Sequence, residues 1–222
     1  MFREVAEKTV QLFLAAGLEE IEVVADCDDF LWPLLETSCR MHGIDFKQAS
    51  AVFDLSKNHY ITDEERKALI ASFADPRTFQ DMHFYPGVKK LIRINEAGGK
   101  LTVKSNAYNT KVGDLKKQQI LAAVPGLSPE RVEIIVISHE QCLKKSIPKG
   151  VTIAMDDNPH IIAESEALVN LIPRTMKRAT NAEARWMMRD KHVVELSNLN
   201  KIIDCACAIC ARIRDVQTLT ST

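Results

Sequence analysis

The residues of this 222-residue chain best suited to chemistry are polar groups set at the ends of apolar runs. Ile21-Glu22-Val23-Val24-Ala25 stops at three acids in four positions, Asp26, Asp28 and Asp29. Leu101-Thr102-Val103-Lys104 stops at Ser105-Asn106, and Val151-Thr152-Ile153-Ala154-Met155 stops at Asp156-Asp157. Massed carboxylates repel one another and are costly to desolvate, so a set of them at a strand end needs a cation or solvent. Asp26, Asp28 and Asp156/Asp157 are an oxygen-only donor set, which suits Mg²⁺ rather than zinc. Ser105 and Asn106, with Lys144-Lys145 between the second and third runs, are groups that suit a phosphate. Each group also has a plain structural reading: an acidic turn, a helix cap, a solvated lysine pair. The recurrence of one arrangement at three separate strand ends sets them apart from those readings.

The elements that must position these groups follow from the hydrophobic pattern. A helix is expected over 3–16, closed by Gly17, and then the β-branched run ending at Asp26. From Trp32 to about Tyr85 no alternating strand appears. Leu34 to Arg40 reads as helix, and Thr62-Asp63-Glu64-Glu65 is a capping box before a helix that Asp75-Pro76 breaks. Strand–helix alternation resumes at Pro86-Gly87, with helix 88–97, strand 101–104, helix 111–123, strand 133–137 and strand 151–155. Pro159 opens a further helix, 169–172 and 193–196 read as strands, 173–189 as irregular, and 197–214 as a final helix before a frayed tail. Such alternation implies right-handed crossovers and a parallel sheet, whose carboxyl ends share one edge. Ligands bind at that edge in open α/β sheets, so groups about 130 residues apart can converge there.

The bulk numbers bound the rest. Lys plus Arg is 29 against 30 for Asp plus Glu, a formal charge of −1, which gives no support to nucleic-acid or membrane binding driven by bulk charge. A hydrophobic content of 46% is ample for a core, and no apolar run approaches the roughly 20 residues needed to span a bilayer. The first residues carry acids and lack a signal-peptide core, so the expected location is cytoplasmic. Six cysteines lack the spacing of a disulfide scaffold and read as reduced thiols. Cys205, Cys207 and Cys210 hint at a metal, but Cys210 falls on the apolar stripe of Leu199, Ile202, Ile203, Ala206 and Ile213, and Cys205 is expected to point away from it.

With these residues in view, the chain resembles the haloacid dehalogenase-like (HAD) phosphohydrolases. Asp26-Cys27-Asp28-Asp29-Phe30-Leu31-Trp32 stands where that family has an apolar strand followed by Asp-x-Asp-x-Thr/Val, with Phe30 in place of the usual Thr or Val. Leu101 to Ser105 is similar to its second motif and Val151 to Asp157 to its fourth, and order and spacing match from about 20 to 172. The third-motif lysine has three candidates, Lys144, Lys145 and Lys149, of which Lys145 fits the spacing best.

The resemblance implies an α/β fold: a three-layer Rossmann-like core with a central parallel sheet, over 1–31 and 86–222, and a small helical C1-type cap over 32–85. It implies that Asp26 is a nucleophile forming an aspartyl-phosphate and that Asp28 is the general acid and then base, with a pKa raised by crowded carboxylates. It implies that Ser105 and Asn106 hold phosphate, and that Lys145 neutralises phosphate charge and holds Asp26. Mg²⁺ would be held by the Asp26 carboxylate, the Asp28 backbone carbonyl and Asp156 or Asp157. Most of the aromatics of 32–85 would be the cap's own core, with one or two facing substrate. Asp156-Asp157-Asn158-Pro159-His160, Tyr85-Pro86-Gly87 and the late 193–196 strand resemble the 5'(3')-deoxyribonucleotidase-like branch. The expected activity is that of a phosphatase on a nucleoside monophosphate. The alternatives are another small phosphorylated metabolite as substrate, or a HAD-like binding domain without turnover. The expected partner is the small substrate alone, without nucleic-acid polymer or membrane, and with a homodimer allowed.

Overall fold

A computed structural model describes residues 2–52, 54–137, 147, 149–173 and 188–220. The order of elements begins with α1 (Phe2–Ala15) and β1 (Glu22–Asp26). A helical stretch follows: α2 (Leu34–His42), α3 (Phe46–Ala49) and α4 (Asp63–Ser72). Then come α5 (Arg93–Glu96), β2 (Lys100–Ala107), α6 (Thr110–Ala123), β3 (Val132–Val136) and β4 (Ile153–Met155). The chain ends with α7 (Pro159–Glu164), β5 (Val169–Pro173), β6 (Val193–Leu196) and α8 (Leu199–Thr220).

The six strands form one sheet in the order β3-β2-β1-β4-β5-β6, and every neighbouring pair is parallel. β1 is central because it is apolar on both faces: Val23, Val24, Ala25 and Asp26 are all buried. Val23, Ala25, Leu101, Val103, Ile153 and Leu171 share one core with side chains of α1, α6 and α8. Val24 and Ala154 face the other way, against Ile161 of α7. Helices on both faces of a parallel sheet make the three-layer α/β architecture expected from the sequence. Strand order reverses between β1 and β4, the point where an α/β sheet opens a crevice beyond its carboxyl ends.

Residues 32–85 add no strand to this sheet among the described residues. The Thr62–Glu65 capping box forms as the sequence implies, with both reciprocal hydrogen bonds. Leu35, Cys39, Ile44, Ala49, Ile61 and Leu69 make a small aliphatic cluster of the segment's own. The expectation that aromatics would form that cluster is corrected: Trp32 and Phe79 belong to the main core, with ring centroids 5.4 Å apart. The two ends of the excursion meet where the Tyr85 amide donates to the Leu31 carbonyl at 2.8 Å.

Several boundaries differ from the sequence reading, each for a tertiary reason. β2 does not stop at Lys104, because β3 pairs with it through Ser105, Asn106 and Ala107. The 88–97 helix is a 3-10 turn over Val88–Ile92 followed by one α-turn. α8 continues to Thr220, and the Gln217 side chain donates to the Glu19 carbonyl at 2.9 Å where fraying was expected. Cys205 is buried, not turned away, because α1 packs along α8 and widens its covered face. Burial pushes the Cys205 thiol up to about 11 and the Cys210 thiol up to about 12, which disfavours the thiolate a metal would need. The irregular reading of 173–189 falls mostly outside the described residues. No helix among the described residues is long and apolar enough to cross a membrane.

Candidate active site

Three acids in four positions would repel one another if they pointed the same way, and the chain after β1 separates them. Cys27 accepts backbone hydrogen bonds from Leu31 at 2.8 Å and Trp32 at 3.3 Å, which curls 27–32 into a tight turn. Asp29 sits within it at φ 56°, the one non-glycine residue with positive φ among those described. Aspartate tolerates that region better than most residues because its short side chain bonds locally. Its carboxylate accepts from the Leu35 amide at 2.9 Å, beside the first turn of α2. Asp29 therefore orders the start of the helical segment.

Asp26 takes the other direction. Its carboxylate lies with those of Asp156 and Asp157, one oxygen from each within 4.8 Å of the others, and all three residues are buried. β4 pairs beside β1 through Ala25↔Met155, so the residues following both strands must meet. The loop after β4 is fixed by successive side-chain bonds: Asp156 accepts from the Asn158 amide at 2.8 Å, and Asn158 from the His160 amide at 2.9 Å, capping α7. Three carboxylates removed from water at this separation are unfavourable without a cation, and three hard oxygen donors fit Mg²⁺ or a similar ion. It is the one such group of possible metal ligands among the described residues.

Asp28 is held on a different side of the turn. One oxygen accepts from the Trp32 indole at 3.2 Å. The other accepts from the Lys116 ammonium at 2.6 Å and the Ser105 hydroxyl at 3.3 Å. A cation and two neutral donors thus stand at the Asp28 carboxylate, which is not part of the metal-competent group. Ser105 lies inside β2 and fully buried, and in this arrangement its hydroxyl serves Asp28. Asn106 gives its backbone carbonyl to Lys116 at 2.6 Å, while its side-chain oxygen is buried without a hydrogen-bond partner.

Among the predicted site residues, the structure thus gathers Asp26, Asp156 and Asp157 in one group and Asp28, Ser105 and Asn106 in a second. Lys144 and Lys145 lie outside the described residues. Lys149 precedes β4 at the opposite end from Asp156 and forms an exposed pair with Glu166 at 3.5 Å. The lysine that does reach the site, Lys116 on α6, is absent from the sequence reading. Its signal is a lysine on an otherwise apolar stripe: Val112, Lys116 and Ile120 recur every fourth residue on the buried face of α6.

A cavity of about 700 Å³ adjoins the 27–32 turn. Asp29, Phe30, Phe46, Tyr85, Pro86 and Asn198 are among its walls, and it lies between the helical segment and the ends of β5 and β6. None of Asp26, Asp28, Ser105, Asp156 or Asp157 lines it. This cavity therefore lies beside Asp26, Asp28, Asp156 and Asp157, not over them.

No family model matches the chain, and no curated protein matches it. Solved structures are similar in shape. A protein described as a haloacid dehalogenase-like hydrolase from Burkholderia xenovorans is 16% identical, with 84% of this chain and 98% of that one covered and a TM-score of 0.49. A haloacid dehalogenase-like family hydrolase from Xanthomonas campestris is 13% identical, covering 90% and 100%, with a TM-score of 0.48. A protein described as a beta-phosphoglucomutase from Bacteroides vulgatus is 12% identical, covering 91% and 97%, with a TM-score of 0.48. At such identities and scores the chemistry of this chain rests on its own residues.

Proposed function

We propose that this chain is a metal-dependent phosphomonoesterase of the HAD type, acting through an aspartyl-phosphate on a nucleoside monophosphate. The observation that carries the reading is the buried Asp26/Asp156/Asp157 group at the point where strand order reverses. Mg²⁺, held by Asp26, Asp156 and Asp157 with the Asp28 backbone carbonyl, would screen the repulsion between anionic nucleophile and anionic substrate. An Asp26 oxygen attacks phosphorus, and the bond from phosphorus to the ester oxygen breaks. Asp28 delivers a proton to that departing oxygen. Asp28 then takes a proton from water, whose oxygen attacks the aspartyl-phosphate, releasing inorganic phosphate and restoring Asp26. Asn106 would hold phosphate oxygens, together with Ser105 once its hydroxyl turns from Asp28 to the substrate, and Lys145 would be the counter-charge. On this reading 32–85 is a cap over a core of 1–31 and 86–222, limiting water at the site. The aromatic walls beside the turn, Phe30, Phe46 and Tyr85, support a planar leaving group such as a nucleoside.

The test is hydrolysis of p-nitrophenyl phosphate and a panel of phosphorylated metabolites, with Mg²⁺ and with chelator. Release of phosphate from nucleoside monophosphates, lost in chelator, is expected. Full activity in chelator, or none on any monoester, would contradict the reading, and a preference for sugar phosphates would change the substrate class.

A further inference from the structure

We propose that Lys116 is a positioning residue that acts through Asp28, fixing where the proton-transferring carboxylate points. The proposal rests on the phosphatase reading above, since that reading gives Asp28 its role.

Lys116 is almost fully buried, and its side chain is 2% exposed. An ammonium has three protons, and three acceptors stand around this one: Asp28 at 2.6 Å, the Asn106 carbonyl at 2.6 Å and the Ser105 hydroxyl at 3.3 Å. The Phe79 ring covers a further side, 5.0 Å from Nζ to the centroid, a cation–π contact made stronger by exclusion of water. Phe79 packs in turn on Trp32, whose indole holds the second oxygen of Asp28. The carboxylate is therefore gripped at both oxygens by donors that share one aromatic wall. α6 is tied to the same segment on either side of Lys116: Asn109 donates to the Ala74 carbonyl and Gln119 to the Gln80 carbonyl, each at 2.8 Å. Lys116 has no room to swing without breaking these contacts. The carboxylate Lys116 pairs with is that of Asp28, so Asp28 is the group through which it acts.

A double-mutant cycle with a spectroscopic readout tests this. Lys116→Met, Asp28→Asn and their combination are compared on p-nitrophenyl phosphate, whose leaving group needs little protonation, and on a nucleoside monophosphate, whose leaving group needs it. Lys116→Met is expected to slow the nucleotide by about tenfold or more and the aryl ester by less than about threefold. Added to Asp28→Asn, it is expected to change neither rate by more than about twofold, because a residue acting through Asp28 has nothing left to position. The Trp32 indole resonance, assigned with Trp32→Phe, should move in Lys116→Met and in Asp28→Asn, and the double variant should match Asp28→Asn. Lys116→Arg keeps the charge but not the compact shape and should fall between Met and wild type.

Losses that add to those of Asp28→Asn, equal losses on both esters, or an unmoved Trp32 resonance would overturn the proposal and leave the phosphatase reading standing. A wild-type chain inert towards every monoester would overturn the reading itself, and the role of Lys116 with it, even if the resonance moved. Should Lys116→Met fail to fold, Trp32→Phe removes the other anchor of Asp28 and takes its place in the kinetic cycle. The same leaving-group split and absence of additivity are then expected, and additive losses would overturn the proposal.

Discussion

The two sides of the turn after β1 solve the same problem differently. On one side Asp26, Asp156 and Asp157 bring three buried carboxylates within 4.8 Å. On the other, Asp28 is matched by a buried ammonium at 2.6 Å and two neutral donors. Both groups lie where strands of one sheet end, at its carboxyl edge. The difference is in the chemistry of the groups brought together. The Asp28 carboxylate pairs with the ammonium of Lys116, whereas Asp26, Asp156 and Asp157 together present three hard oxygen donors of the kind a divalent cation takes.

The largest effect expected from breaking this contrast is on chemistry. Asp26→Asn should reduce turnover to background and abolish the phosphoenzyme, because an amide is a poor nucleophile, while circular dichroism shows the fold retained. The next is the opposite response of the two sides to loss of charge. Asp157→Asn should leave the metal-free chain as stable as wild type or more so, because it relieves repulsion, and should remove the stabilisation that Mg²⁺ gives, about 2.7 kcal/mol at a hundredfold excess over Kd. Lys116→Met should destabilise by about 2–4 kcal/mol, below the full cost of breaking a buried pair because Asp28 is partly exposed. Denaturant midpoints with and without Mg²⁺ measure both. Destabilisation of the metal-free chain by Asp157→Asn would show that the three acids are already compensated.

A smaller effect is graded by substrate. Asp28→Asn should cost about 10²–10⁴-fold on a nucleoside monophosphate and far less on an acidic phenol ester, read as kcat/KM across a leaving-group series. The smallest tests whether the helical segment is separable from the chemistry. Thr62→Ala removes one half of the α4 capping box and should cost about 1 kcal/mol in chemical denaturation with kcat unchanged. A fall in kcat would tie the outer helix directly to the site.

What was legible in the sequence was whatever a local boundary encodes. The switch from apolar β-branched residues to acids at Asp26 and at Asp156 marks two strand ends, and parallel topology then obliges them to meet. The capping box at Thr62 is equally local. Less legible was anything set by a partner distant in the chain. β2 runs through Ser105 because β3 pairs with it, and Cys205 is buried because α1 covers it from the other end of the chain. Lys116 escaped for the same reason. A lysine on an apolar stripe is an anomaly in the sequence, but Phe79 and Asp28, which make it tolerable, come from other elements. The positive φ of Asp29, which starts the turn towards α2, was likewise not legible, because nothing local distinguishes it from the acids at 26 and 28.

The most direct measurement is ¹⁹F NMR of the chain with beryllium fluoride and Mg²⁺, a mimic of the phosphoryl group on a carboxylate. Bound fluoride resonances are expected in wild type and in Asp28→Asn, and are expected to vanish in Asp26→Asn and on adding chelator. Resonances that persist in Asp26→Asn, or that depend on Asp28 instead, would contradict the division of labour between the two sides of the turn.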